Sequence, residues 1–259
     1  MAKKPFIEGI RILTHENHLK VTLNLSCDGG GGYFTELSLK RNLQILAFAA
    51  TGIRGGRALF ELVASPVSFW TPARPSLCDL DVMLLNADGE QVDGKTVRIG
   101  FRDAVFCNEG FFLNGRMISL AALDLTKSPD DLHEPKRIKG KKGVRLVLCD
   151  TCCVDGKNAG KTDEFLTGCD EVGLLAAGVL PLGYGQVDMS KAILRLGHHP
   201  SLCAWVIKGD SWKKETAAQV AKDDPRRALL QLDTKTGNTF ILGGRGEKTQ
   251  MTRGITLLN

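Results

Sequence analysis

Three apolar runs in the second half of the chain constrain its fold more than any other feature. They are VRLVLC at residues 144–149, GLLAAGVL at residues 173–180 and LCAWVI at residues 202–207. Nearly continuous apolar runs are typical of parallel strands that are buried on both faces. Helix-like segments such as KTDEFLTGCDEV, residues 161–172, lie between them. This alternation of strand and helix predicts an α/β region over residues 109–259.

The first part of the chain has a different pattern, in which apolar and polar residues alternate. Every second residue is apolar from 19 to 25 and again from 97 to 101. Such alternation is typical of strands with one buried face. Glycine-rich turn signals at residues 28–32 and 52–56 separate the runs. We therefore expect an antiparallel β-sandwich of immunoglobulin type over residues 1–108.

The overall composition excludes disordered and fibrous proteins. The chain has 259 residues, of which 43% are hydrophobic and 24% charged, enough for one large or two modest domains. It contains no apolar run of the ~20 residues that a membrane span needs, and its first residues do not have the form of a signal peptide. The eight cysteines are unevenly placed, and Cys78 and Cys203 lie in apolar runs, which is typical of reduced thiols. We expect a cytoplasmic protein without a disulfide framework.

Basic residues are concentrated in one segment. The 34 Lys and Arg against 29 Asp and Glu give a net charge of +5, and much of the excess lies in EPKRIKGKKGVR, residues 134–145. No aromatic residue interleaves these charges as a nucleic-acid platform requires, so nucleic acid is not an expected partner. The segment is either a solvated loop or a contact surface for an acidic partner.

Three short motifs occur in a fixed order along the chain. They are WTPARP at residues 70–75, GFR at residues 100–102 and FFLNG at residues 111–115. Prolines suit a strand entrance because they cannot donate to a ladder, and Asn114-Gly115 predicts a tight hairpin turn. The order of these motifs resembles the junction between the immunoglobulin-like domain and the catalytic barrel in glycoside hydrolase family 2, which includes β-galactosidases, β-glucuronidases and β-mannosidases.

The resemblance continues in EFLTGCDEVGLLAAGVLPL, residues 164–182, and in HHPSLCAWVIKGDSW, residues 198–212. It spreads over most of residues 69–233. It implies that residues 109–259 form a shortened, incomplete TIM-like α/β barrel, whose chemistry would lie at the carboxyl ends of the strands. Retaining glycosidases need two carboxyl groups about 5–5.5 Å apart.

The resemblance also implies positions for site residues. The acid/base glutamate of the family falls on Asp210, and Glu247 is a candidate nucleophile, although it also fits an exposed loop. The substrate-contacting positions of the family fall on Arg145, Trp205 and Gly209. These assignments follow from the resemblance alone.

Several departures from the family pattern argue against catalysis. Asp210 is one methylene shorter than glutamate, and a misplacement of about 1 Å can cost roughly 100-fold in rate. Gly209 replaces a sugar-binding asparagine, and Lys208 replaces a glycine. Residues 109–259 number 151, whereas a complete barrel takes about 250. An incomplete barrel leaves open strand edges, for which we expect a protein partner or a second copy of the chain.

Three functions remain open at this point. The first is a catalytically inactive glycoside-hydrolase-like protein that serves as a structural or interaction subunit. The second is a retaining β-glycosidase that hydrolyses O-glycosidic bonds with Asp210 as acid/base. The third is a carbohydrate-binding protein. No cofactor is expected for any of them.

The chain contains two further motifs that resemble ligand-binding sites. Cys149, Cys152 and Cys153 contain a Cys-x-x-Cys spacing that His198-His199 could complete as a zinc site, but no second such pair exists and we expect no metal. GKNAGKT, residues 156–162, is one residue short of a phosphate-binding loop, so nucleotide binding is not expected. We expect His198-His199 to stabilise a strand entrance.

Overall fold

A computed structural model describes residues 4–28, 30, 32–126, 134–151, 159–180, 186–209, 213–233, 235–236, 238–243 and 247–258. The chain divides into two compact units. Unit 1 comprises Met1–Trp70 and Ser76–Phe101, and unit 2 comprises Thr71–Pro75 and Arg102–Asn259. The sequence-based boundary lies a few residues later, at residue 108.

Unit 1 contains two antiparallel sheets. One has the order β1-β2-β5 and the other the order β4-β3-β6-β7. The strands are β1 (Ile7–His15), β2 (His18–Leu25), β3 (Phe34–Arg41), β4 (Gln44–Gly52), β5 (Arg57–Val63), β6 (Cys78–Leu85) and β7 (Gln91–Ile99).

The alternating pattern of β2 has the predicted effect. Its apolar positions from Leu19 to Leu25 are buried, whereas its intervening residues are exposed or half-buried. They share one apolar core with buried residues of the other sheet, such as Leu37 and Leu80. Trp70 is fully buried, and its backbone N–H donates to the Phe101 carbonyl over 2.7 Å. The tryptophan motif therefore lies beside the end of β7.

Unit 2 begins with a small antiparallel sheet of order β10-β9-β8 and continues with an eight-stranded sheet. The first sheet consists of β8 (Ala104–Cys107), β9 (Gly110–Leu113) and β10 (Arg116–Ile118). The elements that follow are β11 (Leu120–Asp124), α1 (Pro135–Gly140), β12 (Leu146–Asp150), α2 (Ala159–Val172), β13 (Leu175–Val179), α3 (Gln186–Leu196), β14 (Leu202–Lys208), α4 (Lys214–Asp223), β15 (Ala228–Leu232), β16 (Thr239–Leu242), β17 (Lys248–Gln250) and β18 (Ile255–Leu258).

The large sheet is mostly parallel. Its order is β17-β16-β15-β14-β13-β12-β11-β18, and β18 and β11 to β15 run in the same direction. β15, β16 and β17 form an antiparallel meander at one edge. All five residues of β13 are buried, as expected of a strand covered on both faces. The predicted alternation of strands and helices is confirmed.

The predicted hairpin at Asn114-Gly115 is confirmed. It joins β9 to β10, and the φ angles of its two central residues are 50° and 74°. Two successive positive φ angles define the turn that matches the twist of antiparallel strands, and Asn-Gly is the pair that adopts them most readily. The Asn114 side chain also accepts a hydrogen bond from the Asp103 N–H over 2.8 Å.

The basic segment is only partly a loop. Residues 135–140 form the short helix α1, which buries Ile138 and exposes its charged side chains. Pro135 at the first turn favours the helix because its missing N–H would have no partner there. The expectation that the charges are solvated is confirmed, whereas the expectation of a loop throughout is wrong.

Buried arginines fix the start of β14. Arg102, from the GFR motif, is only 8% exposed, and its guanidinium donates to the Leu202 carbonyl. The Nε of Arg227 donates to the same carbonyl over 2.5 Å, and its Nη1 donates to Asp224 over 2.7 Å. Burial and the charge of Arg227 lower the pKa of Arg102 to about 10. Both cations face the N-terminal end of β14, where barrel residues usually serve stability.

The large sheet curls back towards itself. Thr239, the first residue of β16, accepts a backbone hydrogen bond from Met251 and a side-chain hydrogen bond from the Ile255 N–H, each over 2.9 Å. Ile255 begins β18, at the opposite edge of the sheet. Gly254 permits this approach, since a Cβ there would lie 2.5 Å from Thr239 Oγ1.

The six cysteines in the described parts of the chain form no disulfide with one another. Burial raises the pKa of the Cys149 thiol to about 12 and that of Cys203 to about 11, so both are neutral thiols at neutral pH. Cys152 and Cys153 lie outside the described residues, as do residues 156–158 of the glycine-containing motif. Within the described ranges, no helix has the length and apolar character needed to cross a membrane.

Gly173 provides a test of the packing in unit 2. It has a φ of +72°, and an added Cβ would lie 2.3 Å from the carbonyl oxygen of Pro72. We expect Gly173→Ala to lower the free energy of unfolding by about 3–4 kcal/mol, because it combines left-handed strain with a backbone clash. Urea unfolding, with hydrogen exchange of the β13 amides as the local readout, measures this loss.

Gly115→Ala is the matched control. Gly115 has a φ of +74°, but no atom lies within 4 Å of an added Cβ. Only the strain of the left-handed conformation remains, which is about 1–2 kcal/mol. Equal losses in the two variants would show that the approach of Pro72 to Gly173 does not constrain the fold.

Candidate functional site

Charged side chains end several of the parallel strands. Asp124 ends β11, Asp150 ends β12, Lys208 ends β14, and Asp233 follows β15. Parallel strands share one direction, so their carboxyl ends meet at the same edge of the sheet. We call the region around these four strand ends the C-terminal mouth.

An ion pair lies at the C-terminal mouth. Lys208 Nζ is 2.7 Å from Asp124 Oδ1, 2.6 Å from Asp124 Oδ2 and 2.5 Å from Thr126 Oγ1. The side chains of Lys208 and Asp124 are 21% and 19% exposed. An ammonium group has three N–H donors, and these three contacts can use all of them.

The ion pair joins strands that are not neighbours. β12 and β13 lie between β11 and β14 in the sheet. Neighbouring strands are about 4.8 Å apart, so these two strands would be about 14 Å apart in a flat sheet. The contact between their side chains therefore requires a curled sheet, with Lys208 reaching across its concave side.

The carboxyl group of Asp124 is held in its ionised form. Burial by itself would raise the pKa of Asp124, but hydrogen bonds from Lys208 and Thr126 outweigh that effect and hold the pKa below its ordinary value. The group is therefore a charged hydrogen-bond acceptor at neutral pH. It is not suited to donate a proton.

The chain leaves β14 through a fixed turn at Gly209. This residue has a φ of +79°, which favours glycine, and its N–H donates to the Leu232 carbonyl over 2.9 Å. Its own carbonyl accepts a hydrogen bond of 2.7 Å from Nε2 of Gln231, which is fully buried. Asp210, the candidate acid/base, lies outside the described residues.

The other predicted site residues lie away from the C-terminal mouth. Trp205 is fully buried in the apolar core of unit 2, and its indole N–H donates to Asp224 over 3.0 Å. Arg145 precedes β12 and lines a cavity of ≈ 560 Å³ with Lys139 and Gly173, at the opposite end of the strands. The structure brings neither of them to Lys208.

Glu247 lies at the far end of the β15–β16 ladder. Leu232 pairs with Thr239 at the carboxyl end of β15, and Leu229 pairs with Leu242 towards its amino end. Leu242 also pairs with Lys248 of β17, so Glu247 lies beside the end where β15 begins. The Glu247 side chain is exposed, as the alternative interpretation of an exposed loop predicted.

Sequence reasoning missed Asp124 and Thr126. Both belong to LDLT, residues 123–126, at the end of a short apolar run. The sequence shows that Asp124 ends one apolar run and Lys208 ends another, and their positions were visible signals. Their pairing was not, because it depends on the curl of the sheet.

The two histidines precede β14, as predicted. His199 is fully buried, with Nδ1 2.6 Å from Asp170 Oδ2 and Nε2 3.3 Å from Asp163 Oδ1. The Ser201 N–H donates to the second oxygen of Asp170 over 2.8 Å. These contacts fix the segment at the amino end of the strand.

Comparison with known proteins finds similarity to glycosidases. No protein-family model matches the chain. A β-galactosidase of Thermoanaerobacterium thermosulfurigenes is 28% identical over 195 residues, which are 68% of this chain and 27% of that protein. The chain is similar to the family 2 glycoside hydrolases. It spans about a quarter of the length of this curated relative.

Solved structures of glycosidases share the fold. The β-glucuronidase of Parabacteroides merdae has a TM-score of 0.72 and 17% identity over 91% of this chain and 35% of its own. The family 2 β-galacturonidase of Eisenbergiella tayi has a TM-score of 0.65 and 16% identity, covering 88% of this chain and 47% of its own. The resemblance deduced from the three ordered motifs is confirmed.

The ion pair at the C-terminal mouth predicts a pH-dependent contribution to stability. We expect Lys208→Met to lower the free energy of unfolding at pH 7 by about 1–3 kcal/mol, since it leaves a half-buried carboxylate without its cation. The pKa of Asp124 is lower in the folded state, so its contribution is present above about pH 4 and disappears as pH falls through the folded pKa. The difference between wild type and variant should shrink at pH 2–3.

Lys20→Met is the matched control. Lys20 pairs with Glu61 over 2.6 Å, but the two side chains are 45% and 65% exposed. Exposed ion pairs contribute less than about 1 kcal/mol. Urea unfolding at pH 7 and pH 3, with hydrogen exchange of β11 and β14, compares the variants. A loss for Lys208→Met that is the same at both pH values would contradict the role given to the ion pair.

Proposed function

We propose that the chain is a catalytically inactive relative of the family 2 glycoside hydrolases and acts as a structural or interaction subunit of a larger assembly. The ion pair between Lys208 and Asp124 is the observation that carries this proposal. It occupies the C-terminal mouth, where the resemblance implies that a sugar would bind.

A sugar ring would have to displace this ion pair. Lys208 stands where the family has a glycine, and its side chain crosses the concave side of the sheet to Asp124 and Thr126. Separating a partly buried ion pair leaves two poorly solvated charges, at a cost of several kcal/mol. A neutral sugar offers no charge to compensate either group. The ion pair therefore opposes binding of a neutral sugar at this position.

The catalytic carboxylates of the family also lack support. The position of its acid/base glutamate is Asp210, two residues after Lys208 in the sequence. Asp210 is one methylene shorter than the glutamate that it replaces, and a misplacement of about 1 Å can cost roughly 100-fold in rate. Glu247 lies beside the amino end of β15, so it is poorly placed to act as nucleophile at the C-terminal mouth.

We further propose that unit 1 is an immunoglobulin-like sandwich and that unit 2 is a shortened TIM-type barrel. Thr239 lies opposite the last residue of β15, whereas Ile255 lies opposite Leu120, the first residue of β11. The hydrogen bond between Thr239 and Ile255 thus joins different levels of the sheet. A closing barrel requires such a stagger because its strands tilt.

We propose that the protein acts by binding a cytoplasmic protein partner or a second copy of the chain. β4 is an edge strand of its sheet, and Ile45 and Phe48 on it are 58% and 55% exposed. Leu43, in the turn before β4, is fully exposed. Exposed apolar residues along a strand edge favour association with another chain.

An assay of glycosidase activity tests the absence of catalysis. We expect the purified chain not to release nitrophenol from aryl β-galactosides or β-glucuronides above the buffer rate, and Asp210→Asn to give the same result. Absorbance at neutral and mildly acidic pH measures the release. Hydrolysis by the wild type that disappears in Asp210→Asn would establish the retaining β-glycosidase instead.

The β-galactosidase similarity also leaves a carbohydrate-binding protein as the second candidate function. Titration calorimetry with galactose, glucuronate and their oligosaccharides distinguishes it. We expect no heat beyond dilution for the wild type. Saturable binding to Lys208→Met that is stronger than to the wild type would show that the scaffold binds sugar once the ion pair is removed. Saturable binding to the wild type itself would contradict the proposal.

The oligomeric state tests the role of the exposed edge. In a lysate prepared without denaturant, we expect the wild type to have the native mass of an assembly. We expect Phe48→Glu to have the mass of a single chain, about 28 kDa. Val105→Glu is the control, because Val105 is 46% exposed on β8 of unit 2. Native mass spectrometry measures the mass of the assembly for both variants and identifies the partner chain. A wild type that is already a monomer would contradict the proposed association.

A further inference from the structure

Three potential metal ligands lie together in unit 2, away from the C-terminal mouth. Asp163 belongs to α2, and His198 and His199 lie between α3 and β14. One ring nitrogen from each histidine and one carboxylate oxygen of Asp163 lie within 4.8 Å of one another. The proposed function makes no use of this group.

The hydrogen bonds of the two histidines define their tautomers. Nδ1 of His198 is 2.9 Å from the carbonyl oxygen of Arg195, and Nδ1 of His199 is 2.6 Å from Oδ2 of Asp170. Carbonyl and carboxylate oxygens accept hydrogen bonds, so both Nδ1 atoms carry the proton. The Nε2 atom of each ring is therefore the candidate metal ligand. At His199 burial by itself would lower the pKa, but hydrogen bonds to Asp163 and Asp170 raise it, so binding of an ion through Nε2 releases a proton from that ring.

The surrounding contacts hold the rings in place. Asp170 is buried, and its other oxygen accepts the Ser201 N–H over 2.8 Å. The His199 carbonyl accepts a hydrogen bond of 2.8 Å from Arg227. Metal-binding histidines almost always donate their second N–H to a carboxylate or a backbone carbonyl, and both forms of support occur in this cluster.

The distances suit a small cation. His199 Nε2 is 3.3 Å from Asp163 Oδ1, a long hydrogen bond. Two ligands of a tetrahedral zinc ion lie about 3.3–3.4 Å apart when their bonds to the metal are about 2.0–2.1 Å. The ring centroids of His198 and His199 are 4.0 Å apart, and the ring planes are tilted by 35°.

Solvent can reach the cluster from one side. The side chain of Asp163 is 40% exposed, whereas that of His199 is 1% exposed. A cation could therefore enter past Asp163 and keep a water molecule as its fourth ligand. Three protein ligands with one open position are common in zinc proteins.

We propose that Asp163, His198 and His199 form a binding site for a divalent first-row transition ion, with Zn²⁺ as the fitting ion. Two imidazoles and one carboxylate are donors that zinc accepts readily. Asp170 and the Arg195 carbonyl act as positioning groups. The bound ion would connect α2 to the segment before β14 and stabilise unit 2. This site departs from the sequence-based expectation of no metal.

Metal titration of the full chain tests the site. After treatment with EDTA and its removal, we expect Zn²⁺ to bind with one strong site per chain in calorimetry. We expect Co²⁺ to give the visible absorption of a four-coordinate ion. Asp163→Asn and His198→Gln should each weaken Zn²⁺ binding at least 10-fold, because each removes a ligand.

His18→Gln is the matched control. His15 and His18 face each other in the β1–β2 hairpin, and they could bind Zn²⁺ weakly by themselves. We expect His18→Gln to leave the strong site unchanged. If the strong site disappears in His18→Gln but persists in His198→Gln, the proposal is wrong.

A measurement on the wild type avoids dependence on the folding of the variants. Zn²⁺ bound to the folded state should raise the unfolding temperature of unit 2, by an amount that grows with free Zn²⁺. A wild-type chain with no such rise and no Co²⁺ absorption would overturn the proposal whatever the variants show.

Discussion

The ion pair between Lys208 and Asp124 depends on the curvature of the large sheet, and the interpretation of the site depends on the ion pair. Two strands lie between β11 and β14, so their side chains meet only if the sheet bends around its concave side. The curl also brings Thr239 near one edge to Ile255 at the other. The same bend thus brings the strand ends together at the C-terminal mouth and places the ion pair there.

The two ends of the strands in unit 2 have different chemistry. At the amino end of β14, Arg102 and Arg227 share the Leu202 carbonyl, and Asp224 receives hydrogen bonds from Arg227 and Trp205. These groups are buried and fix the strand. At the carboxyl end the groups are half-exposed and charged. This division resembles that of barrel enzymes, in which stability and chemistry lie at opposite ends.

The similarity to family 2 glycoside hydrolases is therefore uneven along the chain. The motifs that build the scaffold, such as Gly100-Phe101-Arg102 and Asn114-Gly115, have structural roles that the fold makes evident. The resemblance implies changes at the positions that would perform chemistry, including a charge at Lys208 that the family pattern lacks. A scaffold that keeps its packing residues while its reactive positions change is consistent with a role in assembly.

The sequence by itself determined several elements of this protein and their order. Alternation with a period of two fixed the exposed and buried faces of β2, continuous apolar runs fixed β12, β13 and β14, and Asn114-Gly115 fixed a hairpin, because these signals act over a few neighbouring residues. Only the tertiary structure decided that Lys208 meets Asp124, that Trp205 bonds to Asp224 in the core, and that Asp163 approaches two histidines. These pairs are separated by 19 to 84 residues, and their meeting depends on the curl of the sheet and the packing of helices, which no local pattern contains.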